Sequence, residues 1–152
     1  MSERLWAPWR IGFLRAEKPL GCFLCEAENY VLERGKHAFV CLNAYPYAAG
    51  HLLVAPYRHV AELTLLEQPE MHELMELVQR WVGLVKHTMQ PEGFNVGINQ
   101  GKAAGAAIAD HLHAHVVPRW VGDVNFISSV GDIRVIHQSL EEAYTMLRDA
   151  AR

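Results

Sequence analysis

Asp110-His111-Leu112-His113-Ala114-His115-Val116-Val117-Pro118 is the stretch whose reading decides the fold. Imidazoles alternate with apolar side chains through it, and an extended strand sends successive side chains to opposite faces. The alternation predicts a strand over 111–117, ended by Pro118. His111, His113 and His115 then share one face, with alternate residues about 7 Å apart. Leu112, Ala114 and Val116 face a core. A lone strand histidine is more often packed or solvated than functional. Three in strict alternation are hard to explain by packing, because protonating all of them sets like charges side by side. The imidazole face is read as a site.

Outward from this strand, the apolar runs place the other elements. Residues 94–99 predict a strand, and 100–107 a loop of small residues containing Gly101 and Gly105. Residues 37–43 and 51–55 predict two strands joined by a Tyr-Pro-Tyr turn and Gly50, an antiparallel hairpin. Met71, Leu74, Met75, Val78, Trp81, Val82 and Val85 recur at three- and four-residue spacing, which predicts a helix over 69–89. Pro69 suits its first turn, and Pro91 with Gly93 marks its end. Ser139 and Glu142 form a capping box that opens a helix over 139–150. Residues 22–33 are expected to include a short helix, and 133–137 to form a further strand. The order of elements predicts an α+β fold with an antiparallel sheet of about five strands, one long helix and a C-terminal helix.

The chemistry of three clustered imidazoles leaves two readings. Neutral imidazole ligates catalytic metals. It also attacks phosphorus as a nucleophile while a second histidine assists the leaving group. The loop before the strand favours phosphate, since Gly101 and Gly105 let backbone N–H groups approach an anion.

His-Leu-His-Ala-His-Val-Val resembles the signature of the histidine triad (HIT) superfamily, three histidines alternating with apolar residues. Gly50-His51-Leu52-Leu53-Val54-Ala55-Pro56-Tyr57-Arg58-His59 is similar to the family's upstream strand and its Pro-x-x-His corner. Asn99-Gln100-Gly101 and Gly105 are similar to its phosphate-side loop. The likeness runs in order from about Cys22 to Trp120. The flanks, Leu5-Trp6-Ala7-Pro8-Trp9-Arg10 and Pro118-Arg119-Trp120-Val121-Gly122-Asp123-Val124-Asn125-Phe126, resemble a prokaryotic branch that includes dinucleoside-polyphosphate phosphorylases and hydrolases.

The resemblance implies an enzyme that cleaves at a nucleotide α-phosphate through a covalent nucleotidyl-histidine. It implies His113 as nucleophile, His115 beside the leaving group, and His111 supporting His113 partly through its backbone carbonyl. His51 matches a family histidine that orders the triad; a packed strand histidine is its plainer reading. Asn43 matches a ribose-binding position, against the plainer reading of a turn residue. Asn99 matches an amide near the scissile phosphate. Many members carry Gly-Gln-Ser or Gly-Gln-Thr before the triad. Here Gly105-Ala106-Ala107 lacks both amide and hydroxyl, so phosphate contact is expected from backbone N–H groups.

Cys22-Phe23-Leu24-Cys25 has the spacing of a metal knuckle, and one such pair needs two further ligands. The resemblance implies them: Cys22, Cys25, His59 and His111 as a structural Cys2His2 zinc site. Two thiols in a reducing cytosol are the alternative.

Composition sets the bounds. The 152 residues carry a net charge of -3, with 51% hydrophobic and 20% charged residues, and with no low-complexity run. A single domain is expected over 1–152, comprising an arm over 1–21, a catalytic core over 22–120 and an extension over 121–152. No basic footprint for nucleic acid and no apolar run of membrane-spanning length is present, so a soluble cytoplasmic protein is expected. The three cysteines make no disulfide framework. The resemblance further implies a homodimer, joined sheet edge to sheet edge or through the long helix, with the Trp81 face and the Trp6–Trp9 arm as candidate surfaces. Competing functions are a nucleoside phosphoramidase, a nucleotide-binding protein with little turnover, and a hydrolase using a catalytic metal on the three histidines.

Overall fold

In the computed structural model, residues 21–28, 30–106, 110–123, 136 and 138–152 are described. Five strands form one antiparallel sheet: β1 (Val31–Arg34), β2 (Ala38–Leu42), β3 (Leu52–Pro56), β4 (Gly93–Ile98) and β5 (Ala114–Arg119). Their spatial order is β1-β2-β3-β5-β4. Two helices, α1 (Gln68–Met89) and α2 (Leu140–Ala150), complete the α+β architecture.

Alternation assigns the two faces. Val40, Leu42, Leu52, Val54, Ala114 and Val116 meet Leu74, Trp81 and Val85 of α1, and Ala143 and Leu147 of α2, in the main core. Phe39, Cys41, Leu53 and Ala55 point the other way and are covered by Leu24 and Ala27. β2 and β3 are therefore buried on both faces. This explains why they read as continuous apolar runs rather than as alternating strands.

The helix prediction holds, with two shifts. Leu77 is buried where Met75 was expected, and Met75 is half exposed. Trp81 has no exposed surface, and its indole N–H donates to Glu33 at 2.7 Å. It serves the core and is not available to a partner chain. The capping box of α2 forms as read, with Glu142 N–H donating to Ser139 Oγ at 3.2 Å.

Among the described residues of 22–33 there is no helix. Cys25 and Glu26 N–H both donate to the Cys22 carbonyl, which makes a single turn, and β1 follows. The β1–β2 link is sealed by Glu73 of α1, whose carboxylate accepts from Lys36 N–H at 2.8 Å, from Ala38 N–H at 2.7 Å and from His37 N–H. The predicted strand over 133–137 falls on residues that, apart from Ile136, lie outside the described ones.

The predicted strand over 111–117 is displaced. β5 starts at Ala114 and runs on through Pro118 to Arg119. Leu112 N–H donates to the Val60 carbonyl at 2.7 Å, which ties residues 111–113 to the turn after β3 instead of to the ladder. Among the described residues, no helix is long and apolar enough to cross a membrane.

Candidate active site and metal centre

The three histidines do not form one row. His115 stands on β5 opposite Leu53 of β3 and Gly97 of β4, on the sheet face away from the helices. His113 precedes the strand, and its ring lies 4.8 Å from that of His115, edge to face. His111 is fully buried, and its ring lies 5.1 Å from that of His59. The displaced strand start accounts for this split: without a ladder at 111–113, the His111 side chain is turned towards the Cys22–Cys25 turn.

His113 Nδ1 lies 2.8 Å from the His111 carbonyl oxygen. A carbonyl only accepts, so Nδ1 carries the proton and the Nε2 lone pair is left for an electrophile. Burial disfavours the charged form of His113 and outweighs the carbonyl, which favours it, so its pKa lies below the usual value. Burial, and secondarily the nearby His113, push His115 down to about 4. Both imidazoles are neutral near pH 7.

His51 comes from β3's entrance. Its Nε2 lies 3.0 Å from His115 Nδ1, and its Nδ1 accepts from Tyr47 N–H at 3.0 Å. Gly50 places it there with φ +70°; a Cβ at that position would lie 2.5 Å from Met89 Sδ. The Tyr47 ring lies tilted against His51, with centroids 4.6 Å apart, and stacks on His115 at 5.8 Å.

Asn43 holds the turn before His51. Its Oδ1 accepts from Tyr45 N–H at 2.9 Å, and its amide nitrogen lies 3.3 Å from His51 Nδ1. Asn99 follows the last rung of β4, Ile98 opposite Ala114, and is partly buried. Gly97 presents no side chain opposite His115, and a Cβ there would meet nothing within 4 Å. The small-residue loop differs from expectation. Gly105 N–H donates to the Lys102 carbonyl and Ala106 N–H to the Gly101 carbonyl, so both amides are used inside a tight turn. Ala107 lies outside the described residues.

Cys22, Cys25, His59 and His111 form a group able to hold a metal ion, with their ligand atoms all within 4.8 Å of one another. Cys22 Sγ and Cys25 Sγ lie 3.3 and 3.4 Å from His111 Nδ1, and Cys25 Sγ lies 3.2 Å from His59 Nδ1. Tetrahedral zinc with its usual bond lengths sets sulfur and nitrogen about 3.6 Å apart, so the donor set fits. His111 Nε2 lies 2.8 Å from the Pro56 carbonyl. It donates there, which leaves the Nδ1 lone pair facing the sulfurs, the outer-shell arrangement of a ligating histidine.

Sequence reasoning missed two supports. Arg58 donates to buried Glu70 from Nε at 3.0 Å and from Nη2 at 2.6 Å, and to the Leu65 carbonyl. This fastens the His59 turn to the start of α1. The spacing of Glu67, Pro69 and Glu70 was its signal, a first helical turn closed by Glu67 N–H donating to Glu70 at 2.8 Å. The Leu112–Val60 bond had no signal, because both partners are backbone.

Comparison with known proteins agrees with this architecture. The HIT domain family model matches residues 25–121. An AP-4-A phosphorylase of Mycobacterium tuberculosis is 42% identical over 160 residues, covering 95% of this chain and 82% of its own. A bis(5'-adenosyl)-triphosphatase of Saccharomyces cerevisiae is 29% identical, over 68% of this chain and 48% of its own. A Zn-bound histidine triad family protein from Mycobacterium smegmatis superposes with TM-score 0.71 at 28% identity, covering 86% of this chain and 93% of its own. The chain belongs to the HIT domain family.

Proposed function

We propose that this chain cleaves diadenosine polyphosphates at an α-phosphate through a covalent nucleotidyl-His113. The observation that carries the reading is the 2.8 Å bond from His113 Nδ1–H to the His111 carbonyl, which leaves the Nε2 lone pair for an electrophile. In the first step Nε2 attacks the α-phosphorus. The P–N bond forms, the P–O bond to the bridging oxygen breaks, and its electron pair leaves with the polyphosphate. His115, neutral and beside His113, offers an N–H to the departing oxygen. In the second step an oxygen of inorganic phosphate or of water attacks the phosphorus, the P–N pair returns to Nε2, and the proton of the attacking group is released to solvent. The AP-4-A phosphorylase relative, at 42% identity, favours phosphate as acceptor.

Asn99 is the loop-side contact to the scissile phosphate in this reading, since the Gly105 and Ala106 amides are already engaged. Gly97 leaves a lane opposite His115 for the leaving half of the substrate. The Cys22, Cys25, His59 and His111 donors would hold structural zinc, which would supply a cross-link between the N-terminal turn and the catalytic segment. Metal analysis of protein purified without chelator should give about one zinc per chain, and a stripped sample should melt lower. The chain forms a homodimer in the cytoplasm. The outer edge of β4, where Val96 is 48% exposed, supports edge-to-edge joining. A monomer mass by light scattering at micromolar concentration refutes the dimer.

The activity test is incubation with diadenosine tetraphosphate, with and without inorganic phosphate, beside His113→Ala. ADP and ATP, formed only with phosphate, establish phosphorolysis. AMP and ATP without phosphate establish hydrolysis. Turnover undiminished in His113→Ala removes the nucleophile assignment.

A further inference from the structure

Three hydrogen bonds in the Tyr-Pro-Tyr turn bear on which nitrogen of His115 holds its proton. Tyr45 N–H donates to Asn43 Oδ1 at 2.9 Å, which fixes the orientation of that amide. The Asn43 NH2 is then the group 3.3 Å from His51 Nδ1. Tyr47 N–H donates to the same nitrogen at 3.0 Å. Two donors converge on His51 Nδ1, so it cannot carry a proton. His51 is fully buried, and its proton is on Nε2. That Nε2–H meets His115 Nδ1 at 3.0 Å, which must therefore accept. His115 can then hold a proton only on Nε2, across the ring from His51.

We propose that Asn43 is a positioning residue for the leaving-group side of the reaction: acting with the Tyr47 amide through His51, it keeps the proton of His115 on Nε2. The inference rests on the function proposed above only for what that N–H meets. Its structural part, the tautomer, is read without substrate. This assigns Asn43 a task beyond touching ribose, and it makes the backbone of the Tyr45–Tyr47 turn part of the site. The Tyr47 ring stacks on His115 and lies tilted against His51, so it packs against both imidazoles.

The test uses protein labelled with 15N in its histidine rings. Long-range 1H–15N correlation at about pH 7.5 reads the tautomer of each ring directly. His51 and His115 are expected as Nε2–H forms. An Nδ1–H form at either ring overturns the proposal, whether or not the enzyme is active. Asn43→Ala supplies the second arm. Removing one of the two donors should bring Nδ1–H signal into the His51 and His115 rings. It should also lower kcat about tenfold, with KM for diadenosine tetraphosphate changed less than about twofold. A variant whose ring spectra match wild type and whose loss lies in KM alone overturns the proposal, because that is the behaviour of a ribose contact. Should the variant fail to fold, the wild-type spectra decide. An inactive wild type with both rings as Nε2–H would refute the proposed reaction and leave the positioning network standing.

Discussion

Replacing Glu70 with alanine tests how firmly the His59 turn is held to helix α1. Glu70 is only 6% exposed. Its carboxylate accepts from Arg58 Nε at 3.0 Å, from Arg58 Nη2 at 2.6 Å and from Glu67 N–H at 2.8 Å. Breaking a fully buried ion pair costs about 3–5 kcal/mol. Here 44% of the Arg58 side chain is exposed, so water replaces much of what the guanidinium loses. Hydrogen bonds to charged groups contribute about 1.5–3 kcal/mol, and the low end applies to the Arg58 pair. Losing the closure of the first helical turn adds about 1 kcal/mol. The expected destabilisation is about 2–3 kcal/mol. For a chain of this size that lowers Tm by about 5–10 °C.

Scanning calorimetry near neutral pH reads that shift, and a pH series reads its origin. The Arg58 hydrogen bonds foremost hold the Glu70 carboxyl below its ordinary 4.5, against burial, which would raise it. A depressed carboxylate contributes stability above its unfolded pKa and loses it as pH falls through the folded value. The gap between wild type and variant should therefore narrow as pH drops below about 4.5. A Tm change under about 2 °C, or a gap that stays constant into that acid range, refutes the clamp.

Other consequences are as direct. Gly50→Ala forces a Cβ into left-handed backbone and against Met89 Sδ, so stability should fall by at least about 1–2 kcal/mol; an unchanged urea midpoint refutes it. His115 is depressed from 6.5 to about 4, so the unfolded chain binds more protons between those values and stability should rise with pH across that window. The effect is on the order of 2 kcal/mol after solvent screening, and His115→Gln should flatten that part of the urea-midpoint profile. Gly97→Val fills the lane opposite His115 where a Cβ meets nothing within 4 Å, so Tm should hold while turnover falls by about tenfold or more. Equal turnover would mean that no substrate passes there.

The central strands and α1 were legible because their apolar signals are strong: Leu52 to Ala55 is a short continuous run buried on both faces, and Leu74 to Val85 is a stripe at helical spacing. β1 was not legible: its side chains are only partly buried, and it is held by pairing to β2 and by Tyr144 Oη donating to the Val31 carbonyl, a partner 113 residues away. At the site, the histidines and cysteines stood out as residue types. Their grouping did not. Alternation predicts one row of three imidazoles, whereas the Leu112–Val60 backbone bond sends His111 to one cluster and leaves His113 and His115 in another. A side-chain pattern carries no information about which backbone partner a segment takes at the end of a sheet. The loop 101–106 shows the same limit. Its glycines permit an anion nest, yet the observed turn uses the Gly105 and Ala106 amides itself.

That division gives His111 two tasks on two different atoms. Its ring faces the sulfurs through Nδ1 and the Pro56 carbonyl through Nε2, while its own carbonyl orients His113. A ring held at both nitrogens cannot rotate without losing one partner, and its backbone is further fixed by the neighbouring Leu112 N–H. The carbonyl direction is thus set by the partners of the His111 ring rather than by strand pairing, which begins only at Ala114. In the proposed reaction, a metal held by these donors would serve catalysis without touching substrate. Disturbing Cys22 or Cys25 should lower kcat by loosening the His113 tautomer, and the loss should appear as Nδ1-deprotonated signal at His113 before the fold is lost. A cysteine variant that keeps its fold, loses activity and retains the wild-type His113 ring spectrum would break this link.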